Sequence, residues 1–115
     1  MNENASDSIQ TVRDCYRAFE SGDRELAERV LGEGLRFHAP PDPELDRAGY
    51  FERCWPNADQ LDTYEFVRLF ERGEEVFVTY EARRANGSRF RNTEVLTVRD
   101  GEIVEVEVYF GWELG

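Results

Sequence analysis

Two dipeptides in the carboxy-terminal half, Asn86-Gly87 and Asp100-Gly101, each separate runs in which apolar and polar residues alternate. Asn-Gly and Asp-Gly supply the positive φ that tight hairpins need, and strict alternation marks strands buried on one face. The spacing predicts strands over residues 63–72, 75–85, 89–99 and 102–112, with Gly73 turning the first pair and the last three forming a meander. In the final strand Val104, Val106, Val108, Phe110 and Trp112 make an apolar row that is expected to meet the helices. Ile103, Glu105, Glu107 and Tyr109 are expected on the opposite side, towards solvent or a second subunit.

The amino-terminal half has a different period. Ile9, Val12, Tyr16 and Phe19 recur at steps of three and four, which predicts a helix with one buried stripe, capped by Ser6 or Asp7 and stopped at Gly22. Asp23 is positioned to cap a second helix carrying Leu26, Ala27, Val30 and Leu31, ending at Gly32 to Gly34. A short strand over residues 35–38 is closed by Pro40 and Pro41, after which Asp42, Glu44 and Asp46 read as a solvated loop. A third helix over 46–55 puts Tyr50, Phe51, Cys54 and Trp55 on its inner side before Pro56. Residues 1–115 thus read as one α+β domain, with helices covering one face of a curved antiparallel sheet.

Charge excludes several partners. With 14 Lys+Arg against 25 Asp+Glu the formal net charge is −11, and every basic side chain is arginine. Nucleic acid and anionic membranes require clustered basic residues, so neither is expected to bind. No apolar run reaches the ~20 residues of a membrane span. The polar, acidic start at Met1 to Asp7 lacks a signal-peptide pattern, which makes the cytoplasm the default compartment. Cys15 and Cys54 fall on apolar helix faces and read as reduced packing residues.

Chemistry concentrates on Glu94. Alternation from Phe90 to Val98 sets it in a row with Phe90, Asn92, Leu96 and Val98, on the side that otherwise reads as core. An ionised carboxylate there needs a partner, a proton or a wet cavity, which points to a pocket for a small hydrophobic molecule. His38, the only histidine, titrates near neutrality and is the natural base candidate; it also reads as a structural or pocket-lining residue. Glu94 either forms a proton-transfer pair with His38 or answers an inward polar group such as Tyr16, Tyr80, Asn92 or an arginine. Trp55, Tyr80, Asn92, Val108, Phe110 and Trp112 are the expected wall, as pocket or as plain core. Glu102, Glu105 and Glu107 share one strand with no second ligand cluster, so they read as a solvated face or dimer rim, with no metal or cofactor expected.

Three stretches carry a family likeness: Tyr16-Arg-Ala-Phe-Glu-Ser-Gly-Asp23, Phe37-His-Ala-Pro40, and Asp100 through Trp112. With the element order they make nearly the whole chain resemble the NTF2-like superfamily, in its ketosteroid-isomerase-related and SnoaL-like branch. The resemblance implies an α+β cone, about three helices packed on a curved antiparallel (mixed) sheet, with a pocket between them. Superfamily members include isomerases, hydrolases, cyclases, dehydratases and proteins without chemistry. Glu94 matches the isomerases' strand acid, a carboxyl group kept neutral by its apolar site so that it can donate to a substrate oxyanion. Ala39 stands where their basic aspartate precedes a proline, and counting back from Gly22 puts Cys15 at the place of their tyrosine, with Tyr16 one step on. The Asp-Arg-Asp set of the limonene-epoxide-hydrolase relatives has no inward match, and the SnoaL cyclases' aspartate is not convincingly placed.

The residues and the resemblance together imply a cofactor-free small-molecule-pocket protein; if it is an enzyme, it is expected to act as an isomerase, cyclase or hydrolase by proton transfer on a hydrophobic carbonyl compound. Glu94 is the acid or donor, His38 the base, and Tyr16 an orienting hydroxyl. A homodimer through the outer sheet face is expected. The alternative is a non-catalytic ligand-binding or dimeric assembly module.

Overall fold

In the computed structural model, which describes residues 3–115, three helices pack against a curved, mixed six-stranded sheet. Helix α1 spans Glu3–Ser21, α2 Arg24–Val30 and α3 Arg47–Arg53, with a 3-10 turn at Trp55–Gln60. The strands are β1 Leu31–Ala39, β2 Asp42–Asp46, β3 Leu61–Arg72, β4 Glu75–Arg84, β5 Arg89–Arg99 and β6 Glu102–Glu113. Their order across the sheet is β2-β1-β6-β5-β4-β3, and only the β1–β6 pair is parallel. Among the described residues no helix is long and apolar enough to cross a membrane. The amino-terminal reading of Met1 and Asn2 lies outside the described residues.

The local signals act largely as their chemistry dictates. Asp23 caps α2 by accepting from Leu26 N–H at 3.1 Å, and Asp46 caps α3 by accepting from Gly49 N–H at 2.8 Å. Asp100 (φ 54°) and Gly101 (φ 78°) both adopt positive φ, as a two-residue hairpin turn demands. The Asn86-Gly87 connection differs. Gly87 N–H bonds Arg84 C=O at 2.8 Å and only Gly87 has positive φ (92°), which makes a longer turn ending in a glycine bulge.

Several expected boundaries move. Helix α1 already runs from Glu3, so neither Ser6 nor Asp7 is its cap. Leu31 is extended (φ −94°, ψ 121°) and pairs with Ile103, so the first strand starts there and the Gly32 to Gly34 stop is strand. Residues 42–46 are a strand rather than a loop: Phe37 pairs with Leu45 and Ala39 with Asp42. Pro43 is tolerated there because an edge strand can forgo a ladder donor.

Two bulges reset the last strand. Thr97 pairs with Glu105 and Val98 with Ile103, which leaves Val104 as an extra residue. Ile103 is thereby turned into the core and is fully buried, contrary to the outward side that plain alternation gives it. Further on, Asn92 pairs with Phe110 and Arg91 with Trp112, leaving Gly111 extra. Trp112 consequently shares the outer side with Arg91, whose guanidinium lies 5.5 Å from its ring centre. The expected inward row therefore holds for Val106, Val108 and Phe110 but breaks at both ends.

The core sits between the sheet and the helices. Val76, Val78, Leu96, Val98 and Ile103 from the sheet meet Val12, Ala18 and Ala27 from α1 and α2. Each large aliphatic side chain fully buried here contributes roughly 1.5–3 kcal/mol. Towards the open end of the sheet this solid packing gives way to a cavity.

Candidate small-molecule site

The cavity has a volume of about 540 Å³ and is bounded by α1, α3 and the inner faces of β1 and β3–β6. Its wall is mainly aromatic and aliphatic. Glu94 stands among these groups because β5 alternates regularly, placing it opposite Val78 on β4 and Val108 on β6.

Two hydroxyls from different elements reach it. Tyr16 on α1 donates to Glu94 Oε1 at 2.5 Å, and Tyr80 on β4 donates to Oε2 at 2.8 Å. Behind Tyr80, Asn92 Nδ2 donates to Tyr80 Oη at 3.3 Å, and Gly111 N–H donates to Asn92 Oδ1 at 3.1 Å. The second bulge of β6 is what presents that N–H, so the backbone defect orients the first member of a four-residue chain ending at the carboxyl group. The ring of Tyr64 braces the hydroxyl pair edge-on, 5.1 Å from Tyr16 and 5.0 Å from Tyr80.

Electrostatics follow from enclosure. Burial raises the Glu94 pKa above the ordinary carboxyl range, while the hydrogen bonds from Tyr16 and Tyr80 pull it part of the way back. No arginine is among the groups that shift it. Tyr16, Tyr50, Tyr64 and Tyr80 are all pushed well above the usual phenol value, first by burial and then, for most, by the Glu94 charge. They remain neutral hydrogen-bonding groups at physiological pH. Cys15 and Cys54 also border the cavity, and burial pushes their thiols up to about 12 and about 11. They are free cysteines and poor nucleophiles.

Of the residues singled out from sequence, Glu94, Tyr16, Tyr80, Asn92, Val108 and Phe110 line the cavity. Phe110 forms part of its mouth and is 58% exposed. Trp112 also lines the cavity, at an exposed position where its ring meets the Arg91 guanidinium. Trp55 does not line the cavity; its ring packs 5.6 Å from Phe19 and 6.0 Å from Phe51. Of the two arrangements open to Glu94, bonding to Tyr16 and Tyr80 occurs and pairing with His38 does not. Phe37 faces inward against Tyr50, so the next residue, His38, projects from the outer side of β1. There Nδ1 bonds Pro43 C=O and Nε2 bonds Glu105, each at 2.9 Å.

Tyr50, Tyr64 and Asp42 are among the wall residues that were not singled out as site residues from the sequence. Tyr50 and Tyr64 enter from α3 and β3; Tyr64 pairs with Ala82, and alternation along β3 is the signal that finds it. Asp42, expected in a solvated loop, borders the cavity with its side chain only 18% exposed and is ion-paired to Arg53 at 2.9 Å. At the mouth Arg84 is bound by both oxygens of Glu113, at 2.9 and 3.0 Å, and lies over the Phe90 ring.

Three helices covering a curved, mixed six-stranded sheet define an NTF2-like fold. Residues 12–106 match the SnoaL-like domain model, and the chain belongs to that family. No curated protein matches it. Among solved structures, a proposed ketosteroid isomerase from Kribbella flavida DSM 17836 is similar with a TM-score of 0.81 at 18% identity, over 94% of this chain and 80% of that one. An LEH-like epoxide hydrolase from M. tuberculosis is similar with a TM-score of 0.79 at 18% identity, over 94% and 85%. IdmH, a proposed polyketide cyclase from Streptomyces antibioticus, is similar with a TM-score of 0.72 at 25% identity, over 88% and 89%.

Proposed function

We propose that this protein binds a small hydrophobic carbonyl compound and moves a proton on it without a cofactor. The observation that carries this reading is Glu94, a carboxyl group enclosed in an apolar cavity with hydroxyl partners and no cation. Structural relatives described as an isomerase, an epoxide hydrolase and a polyketide cyclase are consistent with proton-transfer chemistry on this fold.

Of the carboxyl groups bordering the cavity, the enclosed Glu94 and the ion-paired Asp42 suit different roles. Glu94, whose neutral form is favoured by burial, offers a proton to a ligand oxygen. Asp42, beside Arg53 near the rim, replaces His38 as the candidate proton acceptor. Tyr16 and Tyr80 hold the Glu94 carboxyl group in one orientation. Removing a proton from the carbon next to a carbonyl, with the oxygen hydrogen-bonded by Glu94, gives an enol that can be reprotonated at the same or another carbon.

The test uses 2-acetylnaphthalene in D2O. The protein is expected to speed deuterium uptake at the acetyl methyl, followed by NMR, and Glu94→Gln and Asp42→Asn are each expected to lower that rate by about 10²-fold or more. Binding of the ketone with no exchange would leave the non-catalytic ligand-binding reading. That second reading is favoured by one observation: both Glu94 oxygens are already hydrogen-bonded inside the protein.

We also infer a homodimer through the outer sheet face. Phe70, 54% exposed, stacks on Phe77 with centroids 4.9 Å apart, and Tyr109 is 55% exposed. Sedimentation should give twice the 13.4 kDa chain mass, and Phe70→Glu should shift it to the monomer.

A further inference from the structure

Tyr50 carries a hydroxyl that the packing does not use. Its ring is 7% exposed and fixed between Phe37, at 5.2 Å, and Phe51, at 5.3 Å. The side chain lines the cavity, and among the described residues nothing hydrogen-bonds its Oη, whereas the hydroxyls of Tyr16 and Tyr80 are both engaged. Nor is that oxygen sealed off in the core. Tyr64 presents the same case from β3: its ring is clamped by Tyr16 and Tyr80, and its hydroxyl has no partner among the described residues.

A phenylalanine at either position would fill nearly the same space without setting a hydroxyl in a mainly apolar wall. Polar groups withdrawn from bulk water are paired in folded proteins, so two phenols lining one cavity without a protein partner call for one inside it. Because their rings are held by aromatic neighbours, the hydroxyls cannot swing away to find one elsewhere. Both stay neutral, and a neutral phenol donates.

We propose that Tyr50 and Tyr64 form a second polar subsite, which donates hydrogen bonds to a second oxygen of the ligand while the first is held at Glu94. The cavity then selects hydrophobic molecules bearing two oxygen functions over those bearing one. This rests on the reading of the cavity as a small-molecule site and names the ligand class for it.

A matched pair of probes tests the subsite: 2,6-diacetylnaphthalene and 2-acetyl-6-isopropylnaphthalene, which differ by one carbonyl at nearly constant shape. Calorimetric titration is expected to show Tyr50→Phe weakening the diacetyl probe by about fivefold to tenfold, the loss of one hydrogen bond. The isopropyl probe should change by less than about twofold. Tyr64→Phe is expected to act in the same sense, which keeps the test open if Tyr50→Phe fails to fold. Equal effects of both variants on both probes, as displacement of a cavity water would give, overturn the subsite while leaving the pocket intact. Failure of the wild-type protein to bind either probe overturns the pocket reading and the subsite with it.

Discussion

Tyr16 and Glu94 are 78 residues apart in the chain, yet their side-chain oxygens lie 2.5 Å apart. The contact joins the buried stripe of α1 to the inward face of β5. Burial raises the Glu94 pKa most, and this contact opposes that rise, because a hydroxyl donating to a carboxylate favours the charged form.

Removing that donor should push the Glu94 pKa further up. In Tyr16→Phe the carboxyl carbon of Glu94, followed by NMR, is expected to titrate at higher pH than in the wild type. The linkage sign follows from the raised folded pKa: the stability contributed by protonated Glu94 is complete below the unfolded value and is lost as pH rises through the folded one. Glu94→Gln, which cannot ionise, should therefore gain on the wild type in urea midpoint as pH rises through that window. A wild-type curve parallel to that of Glu94→Gln at every pH would contradict this.

His38 works in the same direction on the outer face. Both ring nitrogens meet acceptors, Pro43 C=O and Glu105, and only imidazolium donates from both. The Pro43 contact raises its pKa most, Glu105 adds to this, and partial burial and Arg36 oppose it. The stabilisation is present below the unfolded histidine value and is lost as pH rises through the folded one. Comparison of urea midpoints with His38→Gln at pH about 5.5 and 8.5 should show the wild-type advantage shrinking at the higher pH. Deuterium exchange on the ketone should be unchanged in this variant.

The Val104 bulge makes neighbouring residues unequal. Ile103→Ala empties a fully buried site and should cost about 2–5 kcal/mol in unfolding free energy. Val104→Ala, at the half-buried extra residue, should cost less than about 1.5 kcal/mol. Without the bulge the ranking would be reversed, so chemical denaturation of the two variants tests the register directly.

Gly111 stands against backbone. A Cβ added there would lie 2.1 Å from Arg91 C=O, which cannot retreat as a flexible side chain could. Gly111→Ala should destabilise the protein by more than about 2 kcal/mol. It should also loosen Asn92, whose Oδ1 accepts from Gly111 N–H, and a fall in melting temperature together with a shifted Asn92 side-chain amide signal would report both.

Which parts of the fold were written into local sequence is clear from individual elements. Strands β3 to β6, the Asp23 and Asp46 caps and the positive φ at Asp100-Gly101 follow from short-range rules: side-chain period, orphan helix donors and backbone sterics. Alternation also put Glu94, Asn92 and Tyr80 on the cavity side, because β4 and β5 pair without interruption. The chain alone did not determine β2, the side taken by His38, or the burial of Ile103. Those depend on which residue of a neighbouring strand each backbone group bonds, and a one-residue slip reverses every side chain beyond it. The hydroxyl pair on Glu94 and the free phenols of Tyr50 and Tyr64 likewise exist only once α1, α3 and the sheet have closed around one space.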